Sequence, residues 1–309
     1  MSDYAIFHDE SKGAFGDEYW HAFYWVPCDF FEELAGCLVL ALGNSGFQGA
    51  DRSFKKLGKS KSASKYAYSW LTIMRESLQS CKIQKMEAFD CGRRSNTQSG
   101  KPIADYRKFS RIPACKLGVF FLPHSLNRLD RCRDDTARFE ATFRMGIKHA
   151  AHFLFSKDNP SRITSIWLDR EQHYHARSLH KQAIIHRLSN EFREYVSFSD
   201  SCIIEGENVP KRETFVIDAL DILLGSFRYS YAHGLADQTK AKATKRQLTS
   251  VTHDLLTRLN RGDGMKNSRF RNGYSFRKAW LENGEWNYGD LHNEIIDNVT
   301  PADKQMTLL

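Results

Sequence analysis

Apolar and polar positions along the chain alternate with two periods, one suited to strands and one to helices. Tyr4-Ala5-Ile6-Phe7-His8 is a strand-type run that passes into Asp9-Glu10-Ser11 and then into a turn composition at Lys12-Gly13. His21 to Pro27, aromatic and β-branched, reads as a second strand hairpinned to the first. A helix opens at Asp29, its predicted N-cap, with Glu32 and Glu33 in the first turn where the helix dipole favours negative charge. It stops at Gly43-Asn44-Ser45-Gly46. A basic, serine-rich connector over 50–65 leads to a helix over about 64–80, where Tyr66, Trp70, Ile73, Met74 and Leu78 recur at helical spacing. Downstream the pattern predicts a strand over 82–90, a polar insert over 92–111 and a helix over 134–155. A buried strand, Arg162 to Leu168, runs into Asp169. A helix over 176–195, a strand over 196–204, an apolar helix over 215–227 and a basic helix over 238–260 follow, and the tail from 261 is loop-rich. There is no internal repeat, so the expectation is one α/β domain with a C-terminal extension.

Composition narrows the partners. A formal net charge of +8 calls for an anionic partner, with nucleic acid, RNA or DNA, as the first candidate. The cysteines are scattered and none forms a Cys-x-x-Cys pair, which argues against a zinc ribbon or a thioredoxin-type redox site. With no signal peptide, free thiols in a cytoplasmic protein are expected. The most apolar run, Leu34 to Leu42, is too short to span a bilayer, so no membrane is expected. No Walker-type phosphate loop is present. His173-Tyr174-His175 fits a solvated turn better than a zinc site.

The candidate chemistry lies in carboxylates. Asp9 ends the first strand and Asp169 a middle one, while Asp218 and Asp221 sit one turn apart on an otherwise apolar helix. Adjacent strand side chains point to opposite faces, so Asp9 and Glu10 cannot both face the core. A carboxylate on a buried helical face is costly unless paired or bound to a metal, and no Lys or Arg lies between Phe215 and Phe227. Acids converging from two strand ends and one helix would suit Mg2+ or Mn2+. Two such ions would activate water and stabilise the leaving oxygen of a phosphodiester.

Taken in order, Asp9-Glu10-Ser11, the strand ending in Asp169 and the helix bearing Asp221-Ile222-Leu223-Leu224-Gly225 resemble the domain-of-unknown-function family numbered 3800 over about residues 4–234. The resemblance implies a ribonuclease H-like, retroviral-integrase-type fold: a mixed β-sheet flanked by helices, here spanning 1–234. A helical and loop extension, basic and aromatic, would occupy 235–309. It implies a metal-dependent nuclease with Asp9, Asp169 and Asp221 as metal ligands, set loosely among phage-defence or mobile-element functions. Glu10, Asp51 and Asp218 would assist. Asp218 stands where the family has glutamine, and Asp51 stands in for a further family acid, with Glu87 and Asp90 as rivals. The alternative is a non-catalytic nucleic-acid-binding or assembly subunit of the same fold.

In the tail, Phe270, Tyr274, Phe276 and Trp280 alternate with Arg269, Arg271, Arg277 and Lys278. This pattern serves either base stacking with phosphate contacts or docking of the tail onto the body. A protein partner or homo-oligomer contact through the extension is a further expectation.

Overall fold

The computed structural model describes residues 2–12, 18–50, 52–57, 60–78, 115–123, 135–155, 157, 160–169, 181–192, 194–233, 245, 247–252, 273–282 and 285–290. Asp51, Glu87, Asp90, the strand predicted over 82–90, His173, His175, Arg269, Phe270, Arg271 and most of the basic helix over 238–260 lie outside these residues.

The strands are β1 (Ser2–Lys12), β2 (Tyr19–Pro27), β3 (Lys116–Leu122), β4 (Ser161–Leu168), β5 (Val196–Glu205), β6 (Tyr274–Glu282) and β7 (Glu285–Asp290). They form one mixed sheet in the order β5-β4-β1-β2-β3-β6-β7. Strands β1, β2 and β3 are antiparallel neighbours, while β4 runs parallel to β1 and β5 parallel to β4. Strand β6 runs parallel to β3, and β7 closes the edge antiparallel to β6. The helices are α1 (Phe31–Ser45), α2 (Lys61–Ser77), α3 (Asp135–Leu154), α4 (Lys181–Phe192) and α5 (Lys211–His233). Among the described residues none is long and apolar enough to cross a membrane.

Each sheet face carries its own core. Helices α1, α2 and α5 cover the face presenting Phe7, Trp20, Tyr24, Leu117 and Phe121. Helices α3 and α4 cover the other, with Ile6, Phe23, Trp25, Phe120 and Ile166. The middle strands are thus buried on both sides, which is why all of β2 is buried and its sequence runs almost continuously apolar. Helix α5 is apolar around most of its circumference for the same reason.

Several expectations change. Helix α1 is entered from Phe30, with no side-chain cap, in place of Asp29, and it continues through Gly43 until Gly46 turns left-handed at φ 71°. Helix α2 starts inside the predicted connector because the Ser60 hydroxyl accepts the Ala63 N–H at 3.0 Å. Strand β3 was not anticipated. The tail predicted as helix and loop contributes β6 and β7, which continue the sheet past β3. Tyr274 and Phe276 are buried there, so docking onto the body accounts for these two aromatics.

Candidate functional site

The site forms where β1 and β4 end beneath α5. On β1 the odd positions Ala5 and Phe7 belong to the α5-side core, and Asp9 follows in the same row. Strand β4 reaches that face only through an irregularity. Tyr4 pairs with Ile163 and Ala5 with Ser165, so Thr164 is the extra residue of a bulge. Its hydroxyl donates to the Tyr4 carbonyl at 3.2 Å. Past the bulge the alternation inverts, as a one-residue shift must make it do. Ile163 and Ile166 share the α3 side, and Trp167 packs on the α5 side opposite Phe7. Continuing from the His8–Leu168 pair, the register sets Asp169 beside Asp9 on the adjacent parallel strand.

Asp221 arrives from above, on a stripe of α5 formed by Asp218, Asp221, Gly225 and Arg228 at intervals of three and four residues. A 3-10 turn at Phe54–Lys56 lies against that stripe. The Phe54 N–H donates to Asp221 Oδ2 at 2.6 Å. Gly225 permits this approach: a Cβ there would fall 2.3 Å from Cγ of the Phe54 ring. One turn earlier, Arg52 Nη1 meets Asp218 Oδ2 at 2.5 Å.

These acids differ sharply in electrostatic state. Asp9 is 1% exposed, and its Oδ2 has no hydrogen-bond partner among the described residues. Desolvation, followed by the negative charges of Asp221, Asp169 and Glu10, pushes its carboxyl well above the usual carboxylate range. The Glu10 backbone N–H opposes this only weakly. Burial likewise raises Asp221, to about 6, with the Phe54 N–H and Lys55 pulling down and Asp169 and Asp218 pushing up. The guanidinium of Arg228 donates to Ser11 Oγ. Burial lowers the pKa of Arg228, while Glu18, Asp221 and Asp9 draw it back up. Cations line the rim: Lys55 and Lys56 are exposed, and Lys245 Nζ stands 4.9 Å from the Phe54 ring centroid.

The structure therefore brings Asp9, Asp169 and Asp221 within electrostatic reach of one another on one sheet face. Two acids expected to assist have partners of their own while their charges raise Asp9 and Asp221. Glu10, one residue past Asp9, pairs across the sheet with His21 and accepts a hydrogen bond from Tyr19. His21 in turn joins His8 at 2.9 Å and Thr142 at 2.9 Å in the α3-side core. Asp218 is matched to Arg52, a partner supplied from 166 residues away, while no Lys or Arg lies between Phe215 and Phe227 on its own helix. Arg228 was missed by sequence reasoning, although its position seven residues past Asp221 places it on the same helical stripe.

Oxygen donors of this kind suit a hard divalent cation. Among the described residues, no group of three or more His, Cys, Asp or Glu side chains stands as a preformed metal site. That is compatible with Mg2+, which commonly keeps several waters and takes one or two carboxylates together with substrate phosphate. The buried Oδ2 of Asp9, lacking a hydrogen-bond partner among the described residues, is the atom such an ion would satisfy. Comparison with family models, curated proteins and solved structures yields no match to this chain.

Proposed function

We propose that this chain is a Mg2+- or Mn2+-dependent nuclease of ribonuclease H-like fold. The observation that carries the reading is Asp9: a buried carboxylate whose Oδ2 has no hydrogen-bond partner among the described residues, set beside Asp169 and Asp221, whose negative charges push its pKa up. A structure that only needed to end a strand would gain nothing from this arrangement, whereas a cation site needs concentrated negative charge before the ion arrives. The strand order β3-β2-β1-β4-β5, with β2 antiparallel to its neighbours, supports the fold assignment, as β1 and β4 deliver their terminal acids side by side.

Asp9 and Asp221 would hold the ion, with Asp169 beside them. When bound, it would polarise a phosphoryl oxygen and lower the pKa of a coordinated water. The chain's own residues do the rest. Phe54 N–H fixes the Asp221 carboxylate, and Arg228, tethered by Ser11, offers positive charge to a phosphate at the mouth. Lys55, Lys56 and Lys245 add long-range attraction for a polyanion.

The test is cleavage of RNA, single-stranded DNA and duplex DNA with Mg2+ or Mn2+, comparing wild type with Asp9→Asn and Asp221→Asn. Loss of at least about a hundredfold in either variant is expected, the scale of removing a principal charge-stabilising group. Wild-type activity in both would overturn the assignment.

A further inference from the structure

We propose that Lys278 and Trp280 form a binding track for unpaired bases, on the face and at the end of the sheet where the acids lie. The inference rests on the nuclease reading and adds the form of its substrate, a single strand. The sheet register carries the argument. Ser11 pairs with Trp20, Trp20 with Phe121, Phe121 with Lys278, and Lys278 with Gly289. Paired residues share a face, and β6 presents Tyr274 and Phe276 to the α5-side core. Lys278 and Trp280 continue that alternation, three strand spacings from Ser11, or about 14 Å.

The ground between is closed by Tyr231 near the end of α5, with ring centroids 5.4 Å from Trp20 and 5.0 Å from Phe121. From the acids outward, cation and ring thus alternate: Arg228, Tyr231, Lys278, Trp280. Of the described tail aromatics on this face, Tyr274 and Phe276 are sealed in the core while Trp280 remains part-exposed. The backbone makes room for it. A Cβ on Gly289 would come within 3.3 Å of the indole, so the ring reaches over the backbone of the neighbouring strand. Lys278 Nζ stands 5.7 Å from the indole centroid. A part-exposed indole with an ammonium group over its ring is suited to a base with its phosphate, and it is tolerant of sequence because every base offers a π-face. Bases already paired in a duplex offer no such face.

Binding is measured in EDTA, so that cleavage does not intervene, by fluorescence anisotropy of labelled oligothymidine, oligouridine and a blunt duplex of about eight nucleotides. Trp280→Ala should weaken both single strands about tenfold and leave the duplex unchanged, with Trp280→Phe close to wild type. Lys278→Ala should lower the salt slope of single-strand binding by about 0.7. A loss confined to oligouridine or to oligothymidine would assign the track to RNA or to DNA. Single-strand binding unaffected by Trp280→Ala, or an equal loss on duplex, overturns the track and leaves the acid-site assignment standing. Absence of any nucleic-acid binding by wild type, together with absence of cleavage, overturns both.

Discussion

Strands β1 and β4 carry a charged pair near each end, and the two pairs are built in opposite ways. Near the start, Asp3 lies opposite Arg162, whose Nε and Nη2 reach its two carboxylate oxygens at 2.9 and 2.6 Å. The Arg162 hydrogen bonds hold the Asp3 carboxyl below its usual value. At the far end, Asp9 lies beside Asp169, buried, with Asp221 above, and its carboxyl is pushed up. One pair of strands thus pairs acid with base at one end and gathers acids at the other. Folding alone explains the first arrangement. The second works against folding, and a ligand that binds the acids is a physical reason to retain it.

The sharpest way to break the contrast is to remove the excess charge. Asp9→Asn should abolish metal-dependent cleavage and still stabilise the fold at pH 7, on the order of 1–2 kcal/mol, because it deletes the ionisation that burial penalises. Urea unfolding alongside the cleavage assay checks both. A variant that loses activity and stability together would mean that Asp9 is a structural acid with an unseen partner.

Next in size is the response to cations. At a Mg2+ or Mn2+ concentration about a hundred times Kd, wild type should gain roughly 2.7 kcal/mol in thermal unfolding, and Asp9→Asn little or none. The pH dependence follows from Asp221. Its folded pKa of about 6 lies above the ordinary aspartate value of 3.8, so protonation favours the native state. That contribution is complete below about 3.8 and is lost as pH rises through about 6. Without metal, the site therefore weakens the protein on going from pH 5 to pH 7. With metal the sign reverses, since protons compete for the same oxygens. Asp221→Asn should flatten both trends. Unfolding midpoints at pH 5, 6 and 7, with and without Mn2+, provide the measurement.

Gly225→Ala tests the support beneath Asp221. The added methyl would meet the Phe54 ring, displace the 3-10 turn and withdraw the N–H from the carboxylate. A cost of about 1–3 kcal/mol is expected, despite the better helix propensity of alanine, together with a roughly tenfold fall in cleavage. Unchanged activity in a folded variant would show that Asp221 needs no such fixing.

How much of this could be read beforehand follows from where the information sits. Asp9 and Asp221 were legible because their apolar settings are local: a strand run ahead of one, a helical stretch without lysine or arginine from Phe215 to Phe227 around the other. Asp169 was legible as a strand end, but its face depends on the bulge at Thr164, a tertiary feature without a period in the sequence. The partner of Asp218 comes from Arg52, and no helical spacing could reveal a contact made across the fold. Strand β3 escaped notice because both its faces are buried. Its residues form a short continuous apolar run without alternation. In the tail, Arg277 and Lys278 masked the alternation of a strand whose charged members sit at its rim.

The smallest effect is expected where the charges already match. Asp3→Asn and Arg162→Gln each break the bidentate pair, yet both side chains are well exposed, at 34% and 50%. Solvent screens such pairs, so either change should cost under about 1 kcal/mol and leave cleavage and the cation response as in wild type. The value of this control lies in its position. It alters the same two strands, at the same kind of cross-strand position, without touching the acids at the far end. If Asp3→Asn reduced cleavage as much as Asp9→Asn, the loss would have to come from disturbing the β1–β4 ladder as a whole. The carboxylates at its end would then have no special claim on the chemistry.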